Sequence, residues 1–210
     1  MEIIAENVLL DGRLALFHTK QKWLAVADLH FGFELSQRAA GRMLPIWGMD
    51  DVRTRLRRLV ADYKPQRLII LGDIVHDRTA VEPLRLFLIS LAQTCEVILI
   101  AGNHDRQLHG AIQLRDSFTI GNFEFHHGDC ERDASARTQI IGHFHPAAVL
   151  RDGAGLRLKF PAFVQRLSCW ILPAFSPWAA GTEWTADEQT RVWLCSPKRI
   201  LRLMPAENAA

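Results

Sequence analysis

Apolar and polar positions follow two textures along this chain. In the first half, unbroken apolar runs are separated by stretches of helical period. Trp23–Ala27 (W-L-A-V-A), Arg67–Leu71 (R-L-I-I-L) and 97–100 (V-I-L-I) have the character of strands buried on both faces. Between the first two, residues 50–63 put Val52, Leu56, Leu59, Val60 and Tyr63 on one stripe, with Asp50 or Asp51 as the expected cap. Arg53, Arg55, Arg57 and Arg58 occupy the other faces and read as a solvated helix surface rather than a nucleic-acid patch. Val81–Ala92 repeats the helical pattern with Leu84, Phe87, Leu88 and Leu91. Strand, helix, strand, helix, strand predicts a parallel sheet with right-handed crossovers.

Ahead of this unit, residues 2–10 and 14–18 flank the Asp11-Gly12 turn signal and predict a β-hairpin. Residues 31–45 hold a short helical pattern over 34–40 that Gly41, Pro45 and Gly48 break, as a lid or substrate wall would require. Arg38 and Arg42 there suit phosphate contacts, and suit plain solvation equally well. Beyond Asp105 the pattern turns to strands: a hairpin over 118–126 around Gly121-Asn122, then Thr138–Ile141, 155–161, 168–173, 191–194 and 199–204. These predict a second, antiparallel or mixed sheet packed on the first. Trp170, Phe175, Trp178 and Trp184 offer either its core or a partner surface; core is the better reading for Trp170, and Trp178 and Trp184 stay open.

Composition narrows the class. A chain of 210 residues with 49% hydrophobic content can bury one sizeable core, so 1–204 is read as one domain and 205–210 as a flexible tail. A net charge of +2 is too small for a nucleic-acid coat or a polybasic anchor, so an anionic substrate must be attracted locally. The start M-E-I-I-A-E-N shows neither a basic nor an apolar leader region, and the apolar segment 168–180 is broken by Pro173 and Pro177. Cys95, Cys130, Cys169 and Cys195 form no C-x-x-C pair and are expected as reduced core or near-core thiols in a cytoplasmic protein.

The chemistry lies where strands end. Asp28/His30, Asp73, Asn103/His104, His127 and His143/His145 each follow an apolar β-run. In open α/β sheets the carboxyl edge is where ligands bind. If the segments stay extended, Asp28 and His30 converge on one point, as do His143 and His145. Oxygen and imidazole donors without thiolate suit Mn²⁺ or Fe²⁺, with Zn²⁺ as an alternative. The donors are too many for one tetrahedral zinc but enough for two metals sharing a carboxylate. Such a pair clamps a phosphoryl group and generates a nucleophilic hydroxide. Only Asp28 and Asp73 are anionic in the set, so two divalent ions would leave residual positive charge for a phosphate.

D-L-H, G-D, G-N-H-D, H-G and G-H-F-H, in this order over 28–146, resemble the five motifs of the calcineurin-like metallophosphoesterase superfamily. The resemblance implies an α/β fold of two packed mixed β-sheets flanked by helices, a four-layer α/β/β/α sandwich. It implies one metal on Asp28, His30, Asp73 and His145 and a second on Asp73, Asn103, His127 and His143, Mn²⁺ being the expected ion. It makes His104 the non-ligand catalytic group and Asp105 the residue that orients it. His127 is preferred to His126 because it directly precedes Gly128. The A-D-L-H-F-G opening, Q-R-A-A-G-R-M-L-P and L-G-D-I-V-H, with His76 as a further substrate contact, are similar to the PdeM-like, ligase-associated DNA-damage-response phosphoesterases. That implies a phosphodiesterase or nuclease acting on DNA, RNA or nucleotides through a metal-bridging hydroxide, in DNA repair beside a ligase or helicase. A nucleotide pyrophosphatase, a phosphomonoesterase or protein phosphatase, and a non-catalytic metal-binding scaffold are the alternatives. No membrane association is expected.

Overall fold

The three unbroken apolar runs form one side of a six-stranded sheet in a computed structural model that describes residues 2–5, 7–108, 110–130, 136–151, 154–196 and 199–205. Its strands are β1 (Glu2–Ala5), β2 (Val8–Asp11), β3 (Ala15–His18), β4 (Trp23–Ala27), β5 (Arg67–Leu71) and β6 (Glu96–Ile100), in that spatial order. β1 to β4 pair antiparallel; β4, β5 and β6 are parallel, with Ala27, Leu71 and Ile100 level across the sheet. Every residue of β4 is buried, which is why that run carries no alternation. The single strand expected over 2–10 is two paired strands. Asn7 turns the chain with φ 68°, a conformation Asn tolerates better than most residues.

Three α-helices follow: α1 (Phe33–Ala39), α2 (Gly48–Tyr63) and α3 (Val81–Ala92). The expected cap of α2 is corrected. The helix starts at Gly48, so Asp50 and Asp51 sit inside its first turn, where they favour the helix dipole. Glu34 of α1 caps it instead, its Oε1 accepting the Met49 N–H at 2.8 Å. The arginines of α2 are not one solvated face. Arg53 lies over the Phe31 ring and Arg57 over Phe87, while Arg55 lies over the Phe175 ring and donates to both Asp51 and the Phe175 carbonyl.

The second sheet has nine strands: β7 (Phe118–Ile120), β8 (Phe123–Phe125), β9 (Thr138–Ile141), β10 (Pro146–Arg151), β11 (Arg157–Arg166), β12 (Cys169–Ile171), β13 (Thr182–Glu183), β14 (Thr190–Cys195) and β15 (Ile200–Leu203). It is mixed: β8–β9, β9–β12 and β10–β13 are parallel and the other pairs antiparallel. β10 was not anticipated. β11 also continues through Pro161, which lies just before β14 begins to pair at Ala162, so its missing N–H falls on a free edge.

The sheets meet through Trp23, whose ring packs edge-on against Phe123 and Phe125 at 5.1 Å. One core cluster joins β4–β6 to α2, α3 and inward residues of the second sheet. Trp170 and Phe175 belong to it and are therefore core, not partner surface; Trp178 and Trp184 are half-buried. Two mixed sheets flanked by helices are the expected α/β sandwich, and a smaller apolar cluster around Ile141, Val164 and Val192 completes the second sheet. Cys130 is exposed, unlike the other three cysteines, and all four are free thiols. Among the described helices none is long and apolar enough to cross a membrane. The tail expected over 205–210 lies, apart from Pro205, outside the described residues.

Candidate metal centre

Because β4, β5 and β6 end level, the residues that follow them emerge side by side. Asp28 follows β4, Asp73 follows β5 by one glycine, and Gly102-Asn103-His104-Asp105 follows β6. His127 follows β8 by one residue, and His143 and His145 lie between β9 and β10. The convergence does not come from extended backbone, as the alternation argument supposed. Asp28, His30, Asp73, His143 and His145 have φ of 54°, 42°, 44°, 67° and 45°. Left-handed non-glycine residues are costly and persist where the surrounding structure holds them. Five such residues at one edge show what that edge has been shaped to present.

Backbone amides hold them there. The His143 N–H donates to both oxygens of Asp28 at 2.9 and 3.2 Å, and the His104 N–H to Asp73 Oδ1 at 3.0 Å. The His30 N–H donates to the Asp73 carbonyl at 2.8 Å. Each strand end thus orients a side chain of another. Gly102 is required by close approach: a Cβ there would lie 2.2 Å from the Asp73 backbone nitrogen.

Two groups of donor atoms result, each within 4.8 Å of one another: Asp28, His30, Asp73 and His145, and Asp73, His127 and His143. Asp73 belongs to both. In the first, Nε2 of His30 and Nε2 of His145 are 3.3 Å apart, with Asp28 Oδ1 3.5 Å from the latter and Asp73 Oδ2 3.9 Å from the former. In the second, His127 Nε2 faces Asp73 Oδ1 at 3.5 Å, Asn103 Oδ1 at 3.1 Å and His143 Nδ1 at 3.2 Å. Its Nδ1 lies 3.2 Å from the Leu71 carbonyl. A carbonyl only accepts, so Nδ1 carries a proton in either charge state, and in the neutral ring it is Nε2 that turns a lone pair into the group, as outer hydrogen bonds do for metal-bound imidazoles. His126 is buried but belongs to neither group.

The donors fit divalent cations. Imidazole nitrogens and carboxylate oxygens crowd together at 3–4 Å with no lysine or arginine among them, and Asp28 and Asp73 are almost wholly buried. Burial pushes Asp28 above the usual carboxylate range and His30 down to about 3. Burial also works against charge on His127, but hydrogen bonding to Asp73 and the charges of both carboxylates win and raise it to about 9. Among the described residues of the groups, a protonated His127 compensates the buried carboxylates. Divalent ions bound there would replace that charge and release its proton.

The other anticipated site residues divide. His104 is exposed, its ring 5.9 Å from that of His30 and 6.0 Å from that of His76. His76 stands at the rim, 5.6 Å from His30 and against Phe33. Asp105 is buried, and its Oδ1 accepts from the Ile74 and Val75 amides and its Oδ2 from the Gly102 amide, which ties the loop after β6 to the loop after β5. Arg38 and Arg42 are exposed on and beyond α1, each donating within its own loop, to the Leu44 carbonyl and to Gln37. Reading the sequence missed the segment after β12. Its Ser176 N–H donates to the Asp28 carbonyl, and nothing in its Pro- and Ala-rich composition signals a place at the site.

The calcineurin-like phosphoesterase family model matches residues 22–154, which span both groups and His104. The chain belongs to this family. Among solved structures, this calcineurin-like phosphoesterase is similar to the nuclease MPE of Pseudomonas putida, with 29% sequence identity and a TM-score of 0.72 over 93% of this chain and 94% of that one. No curated protein matches it. Family and ligand groups together support a metal-dependent phosphoesterase.

Proposed function

We propose that this phosphoesterase is a dimetal phosphodiesterase that cleaves nucleic acid. The observation that carries the reading is Asp73 placed in both candidate ligand groups, which would hold two ions close enough to act on one phosphate. Asp28, His30, Asp73 and His145 would hold one ion; Asp73, Asn103, His127 and His143 the other. Two such ions supply Lewis-acid stabilisation and a nucleophile at neutral pH.

The chain's own residues do the rest. His104 holds a proton on its imidazole at the rim and gives it to the leaving oxygen. Asp105 keeps the His104 loop against the β5 loop through its three amide bonds. His76, with Phe33 behind it, lines the approach to His104. Arg38 and Arg42 are proposed as phosphate contacts further out. The similarity to a nuclease supports a diester of nucleic acid over a monoester. The donor set, oxygen and nitrogen without thiolate, supports manganese. The resemblance of the 28–45 and 71–76 segments to ligase-associated phosphoesterases supports a role in DNA repair. Free thiols support the cytoplasm.

The test is turnover of bis-p-nitrophenyl phosphate, single-stranded and duplex DNA, RNA and p-nitrophenyl phosphate by protein loaded with Mn²⁺, Fe²⁺ or Zn²⁺. Diester cleavage that chelator abolishes is the expected result. Monoester turnover alone would favour a phosphatase, and no turnover with any metal a scaffold.

A further inference from the structure

Beside the first ligand group lies a cavity of about 380 Å³ at the same edge of the fold. His145 forms one end of it, and the imidazole keeps about a quarter of its surface exposed. The wall is the segment 174–182, tied to two residues of that group. The Ser176 N–H donates to the Asp28 carbonyl at 3.1 Å and the Thr182 N–H to the His145 carbonyl at 2.8 Å. Gly181, with φ 68°, permits the second tie, since a Cβ there would lie 2.8 Å from that of Ala147. Cavity and ligand group are therefore one construction, held at a fixed offset.

Its lining has a definite chemistry. Phe160, Pro146, Pro161 and Pro177 line it with apolar rings, Asp51 and Arg55 line it as an ion pair, and Lys159 is exposed. The Lys159 ammonium, which has three donors, gives one to the Gly181 carbonyl at 2.6 Å. Flat apolar faces suit a heterocyclic base, and an adjacent ammonium suits a phosphate. The volume lies at the low end of the range for small-ligand sites, enough for one nucleoside and little more.

We infer that this cavity seats the nucleoside next to the scissile phosphate, with Lys159 meeting the phosphate on its far side. The inference rests on the phosphodiesterase reading and adds a nucleoside subsite to it. It makes the enzyme a reader of nucleotide units on one side of the bond it breaks.

Three esters with one leaving group isolate the subsite: methyl p-nitrophenyl phosphate, thymidine 5′-(p-nitrophenyl phosphate), and the same nucleoside ester with a 3′-phosphate. Manganese-loaded protein should prefer the nucleoside ester to the methyl ester by about tenfold or more in kcat/KM, the scale of one base stacked on a protein face. Ala180→Trp, a large side chain at an exposed position of the wall, should remove that preference through KM and leave the methyl ester unchanged. Lys159→Ala should remove only the extra gain from the 3′-phosphate, and Lys159→Arg should restore it.

Binding is read separately by titrating metal-free protein with thymidine 3′,5′-bisphosphate and following backbone amides by NMR. Shifts at Lys159 and Ala180 that weaken in the Ala180→Trp variant support the subsite. Equal kcat/KM for the three esters, or shifts confined to other surfaces, overturn it. So does a phosphoserine peptide that saturates the cavity when the bisphosphate does not. If no ester is turned over, the phosphodiesterase reading fails, and the titration alone decides the subsite.

Discussion

The two ligand groups share Asp73 but are built differently. The first has two buried carboxylates, and the second has one, with the exposed amide of Asn103 as its remaining oxygen donor. The first is braced by the 174–182 segment, the second by the Leu71 carbonyl and the β6 loop. An ion in the first group meets about twice the anionic charge met by one in the second. The first is expected to be the tighter, structural position and the second the more exchangeable one, since affinity for a divalent ion rises with ligand charge and rigidity.

The substitution with the largest expected effect erases the difference. Asp73→Asn should weaken both ions by about a thousandfold or more, since the only carboxylate of one group and half the charge of the other are lost. Metal content per chain by emission spectroscopy reads this, and two tightly held ions in the variant would break the shared-carboxylate assignment. Asp28→Asn should empty the first group and leave the second. Asn103→Ala should spare the first and weaken the second only about 10- to 100-fold. Titration of the single variants with Mn²⁺ distinguishes them, and equal losses would mean the groups are not the separate sites described.

His104→Ala sharpens the comparison from outside both groups. It should keep two ions and lose about 10²–10⁴-fold in turnover of nucleic acid, the range of general acid catalysis. The loss should be smaller for p-nitrophenyl esters, whose leaving group needs no proton; undiminished nucleic-acid turnover would remove His104 from the mechanism. The smallest effect is in pH. His127 titrates near 9 in the metal-free protein, so at pH 7 the second group must expel a proton to bind. Affinity there should rise about tenfold per pH unit and level off above 9. Calorimetry in buffers of different ionisation enthalpy should find one proton released at pH 7 for the second ion, and a pH-independent affinity would contradict the His127 assignment.

Legibility followed burial. β4, β5 and β6 are buried on both faces, so their apolar runs could not be read otherwise, and the helices between them show one clear stripe each. β10 escaped because it opens with Pro-Ala-Ala, which carries little strand signal, and the second half of β11 because it lies beyond Pro161. Asn7 escaped because a single left-handed residue leaves the period of two apparently intact. At the site, residue types and their neighbouring glycines marked the convergent positions, including His127 over His126. The amide bonds that Asp105 accepts and the tie from Ser176 to Asp28 were hidden, because bonds to the backbone carry little side-chain signature.

The sequence by itself determined the chemistry: apolar runs must be buried, and Asp, Asn and His placed just after them must emerge at a sheet edge without thiolates. Only the tertiary structure decided the geometry. The level ends of β4, β5 and β6, the left-handed backbone at five candidate ligand positions and the wall tied to Asp28 and His145 depend on residues far apart in the chain. Local periodicity cannot encode them, since each is set by which amide of one segment finds which oxygen of another.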